Sequence, residues 1–466
     1  MTDTTPILDQ LHSFITQENL NLRRLAELAE INPGTLSSIF NNNKTLTVDH
    51  LDRITAVMKL PEGYFYEQYI RDFLSTKAPD WRRVRPFLYR CMELDKLDCI
   101  KQVVDLLMEN LMYAPMLFEA AEDFFQQGKH AAAAILYESV ASGEKHQHSE
   151  RLALCQYRLF SIRLGDDQEQ NYRAAVQFEP FVDRLDEIDQ LDALKDVINT
   201  YRSLYRWDKV EELAKKLEYI GKIQYQLAQS SGGRERKSQK KTKRPLFTYI
   251  ASAFLLRATV YEIRGNYELA LQYVNAYLDL SWVKESDPET IYWINKYKQW
   301  AQANIYAYKL LSGDTSVLYD YVDFVESLED EIMPALVNIL EAANIYNINV
   351  DDIILKFESH ITDYLQVQRL ISVYSNLVMS NAFADFLHDL AYYYLHRYIY
   401  PVGFKYLLIC LEFSLKINKR SSILKTVGLF EHFRHLASSE TINSYQNLVN
   451  EVYNNEKKKK DSVFSS

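Results

Sequence analysis

Residues 258–277 read ATVYEIRGNYELALQYVNAY, and this stretch decides the fold. Apolar residues recur every three or four positions on both sides of Gly265, which is the spacing of one face of an α-helix. The small residues Ala258 and Ala270 would let two such helices approach closely, and Gly265 lies between them as a turn residue. The stretch therefore predicts a pair of packed helices. Its register is defined by Ala258, Tyr261, Gly265, Tyr267, Ala270, Val274 and Tyr277.

The same register recurs elsewhere in the chain, and it resembles the tetratricopeptide (TPR) repeat. The separation of Ala121 from Ala258 is close to four periods of about 34 residues. We therefore expect an all-α fold whose main part is a right-handed TPR-like helical superhelix; the alternative is an irregular α-helical bundle. The further copies are Ala121, Phe124, Gly128, His130, Ala133, Tyr137 and Val140; Ile198, Tyr201, Tyr205, Trp207, Val210, Ala214 and Leu217; and Ala391, Tyr394, Tyr398, Tyr400, Gly403, Leu407 and Cys410.

The composition supports this reading. Among 466 residues there are only 12 Gly and 11 Pro, which argues against an all-β fold with many sharp turns. The four Cys form no CxxC pair, so neither a metal site nor a disulfide framework is indicated. The net charge of −10 does not by itself indicate binding to nucleic acid.

The first 65 residues predict a cluster of short amphipathic helices. Residues 22–29 carry an apolar stripe, and Asn32 followed by Pro33 is a good start for the next helix, because Asn caps free N–H groups and Pro lacks one. Leu36 and Ile39 continue the stripe, and a further helix is predicted to start at Thr47 or Val48.

This pattern over about residues 6–65 resembles the helix-turn-helix of the Cro/repressor type. The resemblance implies that the second helix of the motif enters the major groove of DNA. It assigns Arg23, Arg24 and Lys44 to phosphates. It places Thr35, Ser37, Ser38, Asn41 and Asn43 on the face towards the bases, where Asn can read adenine and Ser or Thr can reach base or phosphate.

Two features oppose DNA binding by this head. The family usually has Gly in the turn where this chain has Glu30, and a non-Gly residue in left-handed geometry costs about 1 kcal/mol. Residues 1–75 also contain six basic and ten acidic residues, whereas a DNA reader needs cations. The alternative is a helical head that packs or dimerises without DNA.

Segment 229–245 interrupts the helical pattern. It holds seven basic residues and one acid, so we expect a solvated loop between helices, or alternatively an arm that contacts phosphates. No phosphate-binding, nucleotide-binding or hydrolase motif is found, and the histidines are scattered. The sequence therefore predicts no enzyme, no cofactor and no metal site. With no apolar run longer than about 11 residues, we expect a cytoplasmic protein without a membrane partner.

A Cro-type head joined to a TPR-like array resembles the peptide-pheromone receptors of Gram-positive bacteria, the RRNPP group, and within it the arbitrium-type receptors. The resemblance implies a homodimer that binds a double-stranded DNA operator and is regulated by a short signalling peptide. The domains are then 1–70 for the head, 71–80 for a linker, 81–429 for the peptide-sensing array and 430–466 for capping and dimerisation helices.

The residues predicted to contact the peptide face the groove of the array. Asn199 and Arg202 lie three positions apart on one helix face, where Asn can pair with a peptide unit and Arg with a carboxylate. The competing hypothesis is a TPR protein that sequesters another protein and carries a vestigial head. The aromatic residues Phe430, Phe433, Tyr445 and Tyr453 are predicted to form the dimer surface. The full peptide-binding set is Lys195, Asn199, Arg202, Glu262, Asp385 and His388.

Overall fold

The computed structural model describes residues 6–41, 44–75, 79–147, 149–165, 167–230, 241–367 and 376–463, and over these ranges it contains helices and no strand. An all-α fold is therefore confirmed. No helix in these ranges is long and apolar enough to cross a bilayer. The α-helices are α1 Ile7–Gln17, α2 Leu22–Leu28, α3 Pro33–Phe40, α4 Val48–Val57, α5 Tyr66–Tyr69, α6 Trp81–Glu93, α7 Leu97–Met108, α8 Ala114–Gln126, α9 His130–Gly143, α10 Glu150–Arg163, α11 Gln168–Phe178, α12 Glu187–Ser203, α13 Trp207–Ser230, α14 Phe247–Ile263, α15 Tyr267–Leu278, α16 Pro288–Leu311, α17 Leu318–Glu326, α18 Glu329–Tyr346, α19 Asp351–Lys356, α20 Glu358–Val367, α21 Asn376–His396, α22 Tyr400–Lys416, α23 Arg420–Phe433 and α24 Ser439–Val463.

Short helical turns of other types join some of these helices. Residues Ile70–Leu74 form a π-helical turn directly after α5. The 3₁₀ turns are Leu111–Tyr113, Glu179–Arg184, Thr315–Val317 and Arg434–Leu436.

The four predicted helix pairs are helix pairs in the structure, namely α8–α9, α12–α13, α14–α15 and α21–α22. In each pair, the residue seven positions after the first residue of the register has a left-handed backbone conformation. The φ angles are 74° at Gly128, 56° at Tyr205, 68° at Gly265 and 63° at Tyr398. A left-handed residue commonly ends a helix because it turns the chain while satisfying the last carbonyl groups. The repeat register therefore fixes the backbone geometry of the turn even where the residue is Tyr.

The small residues of the register lie where two helices touch. Ala258, Ala270 and Ala133 are completely buried. At Gly403 a Cβ atom would lie 2.6 Å from Leu395 Cγ and 3.0 Å from the Leu395 backbone nitrogen. Close helix contact therefore depends on the absence of a side chain at this position.

The chain divides into two compact units, residues 1–162 and 163–466. The first unit contains both the helices of the predicted head and the helices that follow them up to residue 162. Tyr66 packs its ring 5.0 Å from that of Phe87 in α6, and Arg90 of α6 pairs with Asp52 of α4 at 3.0 Å. Helices α4 and α5 thus contact α6. The predicted boundaries of head, linker and array stay a prediction.

The core of the second unit differs from the prediction at its C-terminal end. Phe430 and Tyr445 are 0% and 3% exposed, and their rings stack at 3.7 Å. Because α24 folds back over α22 and α23, these two residues are covered by their own chain. Their assignment to a dimer surface was therefore wrong. Phe433 is half-buried, and Tyr453 remains 69% exposed.

Candidate functional sites

The second unit contains an open cavity of about 760 Å³. One face each of α14, α18 and α21 lines it, with residues spaced three or four positions apart as a helix face requires. Further side chains come from the ends of α12 and α13 and from α16, α17 and α23. The cavity is therefore built by helices that are distant in sequence, as in a binding groove of a helical array.

Four of the six residues predicted to contact a peptide line this cavity: Arg202, Glu262, Asp385 and His388. Asn304 and Asn338 also line it. The structure thus brings together residues from α12, α14, α16, α18 and α21.

Lys195 and Asn199 are not among the lining residues, although both lie on α12. The Lys195 ammonium is buried 5.6 Å from the centre of the Tyr249 ring and has no hydrogen-bond partner among the described residues. Burial, together with nearby Arg244, lowers the pKa of Lys195 to about 7. Lys195 therefore belongs to the packing between α12 and α14. Of the predicted pair Asn199 and Arg202, only Arg202 is among the lining residues of the cavity.

Acidic side chains outnumber basic ones in the cavity wall. Arg202 and Lys425 are the Arg and Lys residues of the lining, and five carboxyl groups face the same space. Glu331 is 3% exposed and accepts a hydrogen bond from Trp300 Nε1 at 2.7 Å. The acidic excess favours a ligand that carries positive charge. The five acids are Glu262, Glu331, Glu341, Asp385 and Asp389.

Burial, with a smaller contribution from neighbouring carboxyl groups, raises the pKa of two of these acids. Burial raises the pKa of Glu262 to about 7; Glu341 adds to this shift, while the Tyr308 hydroxyl and Arg202 oppose it. Burial also raises the pKa of Glu341, with Asp389 and Asp385 contributing in the same direction. A cation placed between these groups would relieve both effects.

Three asparagine side chains add hydrogen-bonding capacity. Asn304 donates from Nδ2 to the Tyr277 hydroxyl at 2.8 Å, and Asn344 donates to the Asp389 carbonyl oxygen at 3.0 Å. Asn338 donates to the Tyr321 hydroxyl at 3.3 Å. Since the oxygen of an amide points away from its nitrogen, these side chains can offer acceptor oxygens to a ligand. Acceptors of this kind suit the N–H groups of a peptide.

Sequence reasoning missed Glu331, Glu341, Asn344 and Asp389. The first three lie on α18, where polar residues recur on one face, together with Asn338. That periodicity indicates a polar helix face. The sequence does not show that this face of α18 lines the same cavity as α14 and α21.

In the first unit, α3 carries the residues predicted to face DNA. Ser37 and Asn41 are exposed, Thr35 and Ser38 are half-buried, and Lys44 is exposed just after the helix. The Ser38 hydroxyl donates to the Gly34 carbonyl oxygen at 2.8 Å. Asn43 lies outside the described residues.

The predicted phosphate contacts of α2 are partly neutralised. Arg24 Nη1 lies 3.0 Å from Glu27 and Arg23 Nε lies 3.6 Å from the same carboxylate, and all three side chains are exposed. Glu27 therefore competes with any phosphate for both arginines.

The turn between α2 and α3 keeps left-handed geometry despite its unusual residue. Glu30 has φ 52°, and its carbonyl oxygen accepts a hydrogen bond from Arg53 of α4 at 3.1 Å. The predicted cap is also present, since Asn32 Oδ1 accepts from the Gly34 and Thr35 nitrogens at 2.9 and 3.2 Å. Glu30 is thus accommodated, with a contact from α4 that supports the turn.

Comparison with known proteins adds little to this picture. No protein-family model and no curated protein matches the chain. A solved structure of a circular tandem repeat protein with novel repeat topology and enhanced subunit contact surfaces matches 96% of this chain and 90% of that chain, at 12% identity and a TM-score of 0.15. A TM-score of this size does not indicate a shared fold.

Proposed function

We propose that the protein is a peptide-responsive, DNA-binding transcription regulator of the RRNPP type. In this proposal the second unit is a right-handed TPR-like array whose cavity binds a short peptide. The head, with α2 and α3 as a helix-turn-helix, binds a two-fold operator as part of a homodimer. The observation that supports the proposal most is the cavity, because Arg202, Glu262, Asp385 and His388 line it together.

The cavity also suggests the chemistry of the peptide. Its acids would pair with a basic side chain or a free amino group, and its asparagine oxygens would accept peptide N–H bonds. Arg202 would hold the peptide carboxylate, since a guanidinium group can bind a carboxylate with two parallel hydrogen bonds. We therefore expect a short peptide with at least one basic group and a free C-terminus.

Peptide binding can be tested with a randomised hexapeptide pool passed over the immobilised full-length protein. Retained peptides should be enriched in Lys and Arg, and the same pool with amidated C-termini should be retained less. Equal retention of acidic and basic peptides would contradict the proposal.

DNA binding can be tested by sequencing the DNA fragments that the protein retains at two salt concentrations. A regulator should enrich defined sites, and its affinity should fall steeply with salt as counterions are released. Uniform recovery of fragments would count against operator binding.

A second candidate function is sequestration of another protein by the array. The pairing of Arg23 and Arg24 with Glu27 favours it, because it leaves the head with few available cations. Recovery of a stoichiometric protein partner without DNA enrichment would support this alternative.

A further inference from the structure

Lys419 makes a buried ion pair at the edge of the cavity. It lies just before α23, is 4% exposed, and its Nζ atom is 2.8 Å from Asp385 Oδ1. The same ammonium is 3.1 Å from the Tyr205 hydroxyl and 3.0 Å from the Asn381 carbonyl oxygen. The Tyr205 hydroxyl in turn donates to Asp385 Oδ2. We call Tyr205, Asp385 and Lys419 the clasp.

The clasp shares one carboxylate with the cavity. Asp385 and Tyr205 line the cavity, whereas Lys419 does not. Both oxygens of Asp385 are engaged, one by Lys419 and the other by Tyr205. A cation that enters the cavity therefore meets an Asp385 that already has a counter-ion from its own chain.

The surroundings favour exchange of that counter-ion. Burial lowers the pKa of Lys419, although Asp385 opposes this shift, so the ammonium is held against a desolvation cost. Asp389 and Glu341 lie in the same wall of the cavity and interact with one another electrostatically. A ligand cation could contact these acids together with Asp385, whereas Lys419 contacts only Asp385 among them.

The clasp also joins two loops that are far apart in sequence. Tyr205 lies between α12 and α13 with φ 56°, and Asn418 lies between α22 and α23 with φ 51°. Asn418 Nδ2 donates to Asp167 Oδ2 at 3.1 Å, which is a second link between early and late parts of the unit. Tyr205 also lines a second cavity of about 800 Å³, together with Tyr172, Arg206 and Trp207 among others.

We propose that Lys419 is an internal counter-cation at Asp385 which an ammonium or guanidinium group of the ligand displaces. Displacement of Lys419 frees the 204–206 loop from the 418–419 loop. Because Tyr205 lines both cavities, a ligand in the first cavity would then change the mobility of the wall of the second. The inference rests on the proposed function only in that the cavity accepts a cationic ligand.

The first test needs no ligand. Hydrogen exchange is followed by mass spectrometry in the wild type, in Lys419→Met and in Lys405→Met, which makes the same change at an exposed position of α22. Lys419→Met should speed exchange around residues 204–207 and 417–420 by about tenfold. Without the ion pair to Asp385, the closed state is less stable and the two loops open more often. Equal exchange in the two variants would overturn the clasp as a link between the loops.

The second test uses arginine amide, which carries two cationic groups and no carboxylate. It should bind Lys419→Met several-fold more tightly than wild type, and in wild type it should speed exchange at the same amides in a saturable manner. Tyr205→Phe removes only the hydroxyl that donates to Asp385, so it should tighten binding of arginine amide about twofold to threefold. This variant also tests the proposal if Lys419→Met does not fold.

Two outcomes would overturn displacement. One is equal affinity for arginine amide in wild type, Tyr205→Phe and, where it folds, Lys419→Met; the other is the absence of binding to any of them. Retention from the hexapeptide pool is measured separately. Enrichment of Lys and Arg in that pool together with either of these outcomes would reject the clasp alone, so failure of the clasp and failure of the peptide proposal are distinguishable.

Discussion

The face of α3 and the cavity of the second unit differ in how they are assembled and in how their charges are used. The α3 face comes from one helix of eight residues, and the two arginines that precede it on α2 are engaged by Glu27. The cavity comes from helices spread over more than 200 positions, and it holds five carboxyl groups against one Arg and one Lys. Beside the first surface, Glu27 engages both arginines. In the second, Lys419 engages one of the five carboxyl groups, Asp385, and the other four keep an acidic excess over Arg202 and Lys425.

The difference matters because unneutralised charge in a confined space carries more binding energy than paired charge on an exposed helix. The cavity is therefore the stronger candidate for specific recognition of a ligand. The α3 face depends on shape and on hydrogen bonds from Ser37, Ser38 and Asn41 if it reads DNA.

The largest expected effect is the loss of operator binding in Ser38→Glu. A carboxylate on the α3 face would repel DNA phosphates, so we expect at least a roughly 100-fold loss of affinity for an enriched site. Ser13→Glu is a matched control, because Ser13 on α1 bonds the carbonyl oxygen four residues earlier at 2.9 Å, as Ser38 does at 2.8 Å. Fluorescence anisotropy on labelled DNA would measure both variants, and similar losses would show that α3 has no special role.

The next effect separates two residues of α12. Arg202→Ala should weaken binding of a selected peptide about 30-fold, which corresponds to about 2 kcal/mol for a lost charged partner. Asn199→Ala should change it less than about twofold, since Asn199 is outside the cavity lining. Calorimetry would measure both, and a larger loss in Asn199→Ala would place the peptide elsewhere.

A smaller effect concerns pH. With its pKa raised to about 7, Glu262 gains its negative charge between about pH 6 and 8. Affinity for an N-acetylated peptide with an Arg side chain should therefore rise by up to about tenfold over this range. Glu262→Gln should flatten the profile, and an unchanged slope in that variant would show that Glu262 is not the titrating group.

The same shift has a consequence for stability with the opposite pH trend. Because the folded-state pKa of Glu262 lies above its unfolded value of 4.5, its contribution is fully present below about pH 4.5 and is lost as pH rises through about 7. Glu262→Gln should remove this loss. Urea unfolding at pH 5 and pH 8 would measure it, and identical differences in wild type and variant would refute it.

The smallest effect tests the charges of the head. Glu27→Gln removes the carboxylate that engages Arg23 and Arg24, so we expect nonspecific DNA affinity to rise about threefold at low salt. Asp9→Gln, on α1, makes a similar change away from these arginines. If both substitutions act equally, net charge alone explains the effect.

The amino-acid sequence by itself determined the local structure. The Asn32 cap and the four helix pairs follow from nearby residues, because helix ends and close helix contacts depend on backbone geometry and side-chain size within one repeat. Arg202, Glu262, Asp385 and His388 could be chosen from the same register because lining a groove is also a matter of helix face.

Only the tertiary structure decided which polar side chains meet. Lys195 shares α12 with Arg202 yet packs on Tyr249, and Phe430 is covered by α24 rather than by a second chain. The clasp joins residues 180 and 214 positions apart. Contacts of this range depend on how successive helices rotate against one another, and that rotation is set by packing summed over the whole unit rather than by any one repeat.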